Sequence, residues 1–229
     1  MYVEETEKTI NLGTDDPNDP YDAEADEVDL RACLADDHET APADQQKEFE
    51  QWGGYQKRGF PESLILMKLK PKKTTKRAPG PGAIRLRDWK PFAKRKLKDS
   101  NIILHTDGAK TYKLKIRGML HDHVVHSRKK LRIKGKIVKR NGNIVWIKPH
   151  YTKVFTHTLP NGKTIKVQGG TQIIDRFWRK LRASLKGNSS RVGSLALRRR
   201  IRSAQWDHWQ QKKDKWAMTG EMLRALQVP

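Results

Sequence analysis

Apolar residues come in short runs along this chain, separated by polar and glycine- or proline-containing stretches. The strongest are Ser63 to Leu69 (SLILMKL) and Ile102 to Leu104, the latter inside NIILHTDGAKTY. Runs of this length bounded by turn residues predict strands. QWGGYQKRG (51–59) followed by ESLILMKLKP (62–71) predicts two strands joined by a glycine-containing turn. DAEADEVDLRACLA (22–35) fits a short strand or a helical turn, and DDHETAPADQQKEF a polar connector. KKTTKRAPGPGAIR (72–85) predicts a loop, because its prolines and glycines work against helix and ladder alike. LHDHVVHSR (120–128) alternates weakly, as a strand would.

The helical signals are of a different period. In GTQIIDRFWRKLRASLKG (170–187), Ile174, Trp178, Leu181 and Leu185 share one helix face, Thr171 stands where a cap is expected and Gly187 where a helix stops. DWKPFAKRKL (88–97) predicts a short amphipathic helix capped by Asp88, with Phe92 and Leu97 near one face. SLALRRRIRSAQWDHWQQKKDKWA (194–217) predicts a second, very basic helix whose Trp206, Trp209 and Trp216 form an apolar stripe or stack on bases. NGN (141–143) and PNG (160–162) are hairpin signals within a small β insertion over 129–170. No internal repeat is evident. The order is strand, strand, strand, helix, strand, strand, insertion, helix, which suits a mixed sheet flanked by helices.

Charge divides the chain. The net charge is +22 over 229 residues. Residues 1–50 hold 17 acidic and 3 basic side chains, so all of the positive excess lies downstream. This predicts an acidic, disordered tail over 1–20, able to lie on the basic body and compete with its ligand, a core over 21–190, and a basic helical extension over 191–229. So positive a body attracts polyanions, with nucleic acid foremost. The single cysteine, Cys33, rules out an intrachain disulfide and a CxxC zinc ribbon. No run of about 18 apolar residues exists to span a bilayer, and the acidic start lacks a signal pattern. An intracellular protein is expected, nuclear if the source is eukaryotic.

Candidate chemistry centres on acids that sit beside apolar residues. Asp107 ends the Ile102 strand, and Asp-Gly is also a common turn pair. Asp175 falls in the first turn of its helix, where the macrodipole alone favours an acid. Together they suggest a Mg²⁺ or Mn²⁺ site of carboxylates drawn from distant positions. A third acid would come from ADEVDL, which offers Asp26, Glu27 and Asp29; strand alternation places Asp26 and Glu27 on opposite faces. LHDHVVH offers His121 and His123 to zinc from one strand face, with His126 pointing the other way. Lys94-Arg95-Lys96, Arg128-Lys129-Lys130 and Arg198-Arg199-Arg200 with Arg202 suit phosphate contacts.

NIILHTDGAKTY, VVHSRKK and GTQIIDRFWRKLR together resemble the catalytic core of the ISXO-type insertion-sequence transposases. Asp107, Tyr112, His126, Thr171, Asp175, Trp178 and Leu181 occupy the motif positions, and ADEVDL resembles the first acidic motif. The resemblance covers roughly residues 22–187. It implies a ribonuclease H-like fold and a two-metal DDE-type mechanism in which Asp26, Asp107 and Asp175 are the catalytic residues and bind two Mg²⁺ (or Mn²⁺) ions. It also implies DNA as partner, a homo-oligomer on that DNA, support from His126 and Trp178, and phosphate contacts from Arg179 and Arg182. Two departures stand out: the third acid is Asp where the family often has Glu, and the residues before the core are acidic and few. A catalytically inactive DNA-binding protein of the same origin is the second expectation. An RNA-binding protein of ribosomal style is the third, on charge alone.

Overall fold

The computed structural model describes residues 2–34, 46–126, 128–187 and 190–227. The polar connector expected over 36–49 falls outside that set as far as residue 45. The chain runs α1 (Tyr2–Thr9), β1 (Tyr21–Leu34), β2 (Gln46–Lys57), β3 (Ile65–Lys68), β4 (Lys72–Thr75), α2 (Leu86–Phe92), β5 (Ile102–Thr106) and β6 (Met119–His123). A set of two-residue ladders over 129–147 and the hairpin Lys153–Thr158/Thr164–Gly169 follow, then α3 (Gln172–Ser184), α4 (Leu195–Trp209) and α5 (Lys215–Gln227). No helix among the described residues is long and apolar enough to cross a membrane.

One mixed sheet organises the body, in the order β3-β2-β1-β5-β6, with β4 also on β2. β1 to β3 form an antiparallel meander, and β5 and β6 run parallel to β1. Alternation along the strands loads both faces. Ala23, Ala25, Tyr55, Ile102 and Leu104 face α2 with Trp89 and Phe92. Val28, Trp52 and Leu66 face α3 and α4 with Ile174, Trp178, Leu197 and Ile201. The mixed sheet flanked by helices is thus as the sequence pattern implied.

Several local expectations are corrected. Residues 2–9 are helical, and the segment after them is fixed: Val3 and Leu12 are buried, and the Leu12 carbonyl accepts from the Tyr55 hydroxyl at 2.8 Å. Glu7 accepts from Arg202 at 2.8 Å and from the Leu66 amide at 2.9 Å, while Glu4 pairs with Arg198. An acidic segment too polar to order alone is ordered by cations of a helix almost 200 residues away. The loop over 72–85 contains β4, a strand on the distal half of β2. Asp88 does not cap α2, which starts at Leu86; its carboxylate accepts from Arg85 Nε at 2.6 Å. Pro91 has no N–H to donate, and the helix continues as a wide π turn over Ala93–Leu97 that still buries Ala93 and Leu97. The long basic helix is broken after Trp209. Trp209 is buried, with its indole N–H on the Leu64 carbonyl at 2.8 Å, whereas Trp216 on α5 is 87% exposed.

The β insertion contains a repeat that inspection of the sequence passes over. KKLRIKG, KIVKRNG and NIVWIKP (129–149) are three seven-residue units. The fourth and fifth residues of each unit pair with the second and first of the next. Arg132 pairs with Ile137, Lys139 with Ile144, and Trp146 closes the ring on Lys130. The third residues complete a cycle of amide bonds: Leu131 to the Val145 carbonyl, Val145 to Val138, and Val138 to Leu131, at 2.9 to 3.0 Å. Lys134-Gly135 and Asn141-Gly142 turn the first two units with positive φ throughout, the signature of tight hairpin turns. The result is a pseudo-threefold ring of short hairpins.

The fold places α3 against the sheet through one close approach. Gly54 pairs with Asp26 across β1 and β2, and a Cβ there would lie 2.6 Å from the Trp178 ring and 2.8 Å from Ile174. Gly54→Ala is therefore expected to destabilise by about 1–3 kcal/mol, or roughly 2–4 °C in Tm per kcal/mol at this size, in thermal unfolding.

Candidate active site

The parallel register of β1 and β5 sets the first two acids side by side. Ala25 pairs with Thr106, so the next residues on each strand are Asp26 and Asp107. Carboxylate oxygens of Asp26, Glu27 and Asp107 lie within 4.8 Å of one another. Asp107 closes the turn expected of an Asp-Gly pair and also stands among the acids. Its Oδ1 accepts from the Ala109 amide at 2.8 Å, closing a turn, and its carboxylate joins the cluster.

Asp26 and Glu27 point to opposite faces, yet both reach the cluster. Glu27 is held on the α2 side: Oε2 accepts from the buried Tyr112 hydroxyl at 2.6 Å and Oε1 from the Ile84 amide at 3.0 Å. Burial raises the Glu27 carboxyl above its ordinary value, the Tyr112 bond opposes this, and Asp107 adds to it. Asp26 has fewer compensations. Burial, then the charges of Glu27, Asp175 and Asp107, hold its carboxyl well above the usual carboxylate range. Like charges gathered out of water are costly unless a cation joins them.

The third predicted acid comes from across a cavity of about 610 Å³, lined by Asp26, Glu27, Asp175 and Trp178. Asp175 is outside the 4.8 Å group, although its charge acts on Asp26. Its placement depends on Glu24, which sequence reading missed. Glu24 is 1% exposed and accepts from the amides of Ile173 and Ile174 at 2.8 and 3.1 Å, so a strand carboxylate caps α3. Thr171, the expected cap, instead donates its hydroxyl to Asp175 Oδ2 at 3.0 Å. Arg58 pairs with Glu24 at 2.9 Å, bonds the Gly170 carbonyl at 2.9 Å and reaches the Gln168 carbonyl. Glu24 looks like one more member of an acidic run, and only its burial distinguishes it.

The predicted phosphate-binding residues separate into groups. Arg179 and Arg182 line the carboxylate cavity, joined there by Arg176, which the sequence did not single out. Lys94, Arg95 and Lys96 belong to the π turn after α2, where Arg95 and Lys96 line a different groove with α1. Arg198 is engaged by Glu4, whereas Arg199 and Arg200 are exposed on α4. Arg128 and Lys130 are exposed at the base of the hairpin ring, and the side chain of Lys129 is outside the described set. His126 stacks at 5.1 Å on Tyr151, which lines the cavity, and its buried Nε2 has no hydrogen-bond partner. Trp178 Nε1 is likewise buried and unpartnered.

His121, His123, His105 and His157 make contacts within the fold. His121 and His123 are stacked at 6.1 Å, His121 meets the Thr106 hydroxyl at 2.9 Å, and burial pushes the His121 imidazole down to about 4. Among the described residues the group able to hold a metal is the acidic one. Buried His105 bridges Asp122 at 2.7 Å and Asp22 at 3.0 Å, and His157 of the hairpin meets Asp122 at 2.9 Å. This chain of partners ties β1, β5, β6 and the hairpin together. Comparison with family models, with curated proteins and with solved structures finds no match for the chain.

An all-oxygen set suits a hard divalent cation, and the repulsion on Asp26 gives a stability test. A carboxyl with a raised folded value contributes most below its unfolded value, near 3.8, and loses that contribution as pH rises through the folded value. In chelator at pH 7, Asp26→Asn is expected to be more stable than the native chain, on the order of 1 kcal/mol. Mn²⁺ should raise the native Tm and leave that of the variant nearly unchanged; differential scanning fluorimetry reads both.

Proposed function

We propose that this chain is a ribonuclease H-like enzyme of the ISXO transposase type that cleaves and transfers DNA strands at a divalent-metal site. The observation that carries the reading is the juxtaposition of Asp26 and Asp107 on adjacent parallel strands, with α3 bringing Asp175 to the same cavity. The mixed sheet, in the order β3-β2-β1-β5-β6 and flanked by helices, is compatible with such a fold. It supports the resemblance noted in the motifs.

Asp26 and Asp107 would hold Mg²⁺ or Mn²⁺, with Glu27 and Asp175 completing the charge around them. A pair of such ions held there would supply Lewis-acid activation of the attacking oxygen and stabilisation of the leaving one in phosphodiester displacement. The protein's own contribution is positioning. Tyr112 and the Ile84 amide fix Glu27, the turn at Ala109 fixes Asp107, and Glu24 with Arg58 fixes the helix that carries Asp175. Arg179 and Arg182 at the cavity place positive charge where phosphates flanking the scissile bond would lie. No side chain need act as a covalent nucleophile. The protein would assemble as a homo-oligomer on its DNA, in an intracellular compartment.

One observation favours a second reading, a DNA-binding protein without activity. Asp175 stays outside the 4.8 Å group, its Oδ2 accepting from the Thr171 hydroxyl at 3.0 Å. The two readings diverge on substitution. With Mn²⁺ and supercoiled plasmid, Asp107→Asn keeps the turn at Ala109 and is expected to reduce nicking about 10²–10³-fold while DNA affinity in chelator is retained. Asp175→Glu is expected to keep or raise nicking, and Asp175→Ala to abolish it. A native protein that binds plasmid but never nicks it with Mn²⁺ would establish the binding reading.

A further inference from the structure

We infer that the pseudo-threefold hairpin ring over 129–149 is a second nucleic-acid contact, one that grips the phosphate backbone of the polynucleotide beside the carboxylate cavity. The inference rests on the proposed function for the identity of the polyanion, and its evidence is separate from the carboxylates.

The ring has almost no interior. Only Leu131, Val138, Ile144, Val145 and Pro149 are half-buried, and every other described side chain in it is exposed. A 21-residue structure with so little apolar burial has little reason to persist for stability alone. What it displays is chemically one-sided: eight Lys and Arg and no Asp or Glu. Among the described side chains, which leave out that of Lys129, none of these cations forms a salt bridge, although α1 supplies acids that occupy Arg198 and Arg202 elsewhere. The tight turns fix Lys134 and the cations of the flanking ladders, Lys136, Lys139 and Arg140, on a rigid frame. A rigid array loses less conformational freedom on meeting phosphates than a flexible lysine-rich tail would.

The ring also exposes apolar surface among its charges. Trp146 is 48% exposed, and Lys130 Nζ lies 5.7 Å from its ring centroid. Ile133 and Ile147 are exposed as well. Cations interleaved with an accessible aromatic match a backbone with stackable or groove-facing bases.

Its stem leads to the cavity. Val125 and His150 bridge the two ends of the ring's stem, with the His150 amide on the Val125 carbonyl at 2.9 Å. The next residue, Tyr151, lines the cavity and accepts from Gln172 Nε2 at 3.0 Å. A polynucleotide lying on the ring is therefore led past Tyr151 toward Asp26 and Asp175.

The test uses the full-length protein and a fluorescent duplex of 30 base pairs, in chelator, with affinity measured by anisotropy across a salt series. The triple substitution Lys134→Gln, Lys136→Gln, Lys139→Gln is expected to weaken binding and reduce the slope of log affinity against log salt by about 2–3. The matching Lys→Arg triple should restore both. The Mn²⁺ shift in Tm should be the same in all three proteins, which separates loss of the ring from loss of the metal site. An unchanged slope in the Gln triple would overturn the inference. So would tighter binding of the native protein to anionic phosphatidylserine vesicles than to duplex at equal salt, with the Gln triple losing only the vesicle binding.

Discussion

The parallel pairing of β1 with β5 is the constraint on which the rest depends. Strand register is quantised, and a slip of one residue would reverse every side chain on β5. With Ala25 opposite Thr106, two acids 81 residues apart in sequence arrive side by side. The same register puts Ala23 and Leu104 into one face of the core. The apolar pattern that drives folding therefore also sets the geometry of the charged cluster. Glu24, two residues before Asp26 and so on the same face, then draws the first turn of α3 onto β1. A single strand thus carries an acid of the site and the group that positions the helix opposite.

Electrostatics gives this arrangement its direction. The body is strongly basic, yet three half-buried acids cluster with a fourth near them, and Asp26 bears the repulsion of the other three. Such a site is unfavourable for the isolated protein, and under the proposed function a bound cation would relieve it, exchanging stability for binding. Elsewhere acids are used to quench cations: Glu4 and Glu7 of α1 engage Arg198 and Arg202 on α4. The acidic leading segment is thus part of the basic body's own structure, and exposed cations remain around the cavity and on the hairpin ring, among other places.

Much of this was legible in the sequence where one period dominated. The IIL run stopping at Asp107 and the helical spacing of Ile174, Trp178 and Leu181 are local signals, and local signals survive into the fold. The short stretch ADEVDL was ambiguous because a strand of alternating small and acidic residues lacks an apolar face to identify it. Helix α1 was not legible because its order comes from partners distant in the chain. The cap on α3 was misread for the same reason: Thr171 is the local candidate, and Glu24 wins from a strand about 150 residues away. The threefold ring escaped notice because its units share turn and core positions but differ in most side chains. Its symmetry is carried by backbone bonds among Leu131, Val138 and Val145.

The central claim is that Asp26 and Asp107 are joint ligands of a divalent ion that Asp175 helps to hold. Anomalous diffraction from crystals grown with Mn²⁺ and a short DNA duplex tests it most directly. The account predicts a strong peak between the Asp26 and Asp107 carboxylates, on the side facing Asp175, with a DNA phosphate beside it. A fully ordered cavity with no peak there, or Mn²⁺ bound only at other carboxylates, would contradict it.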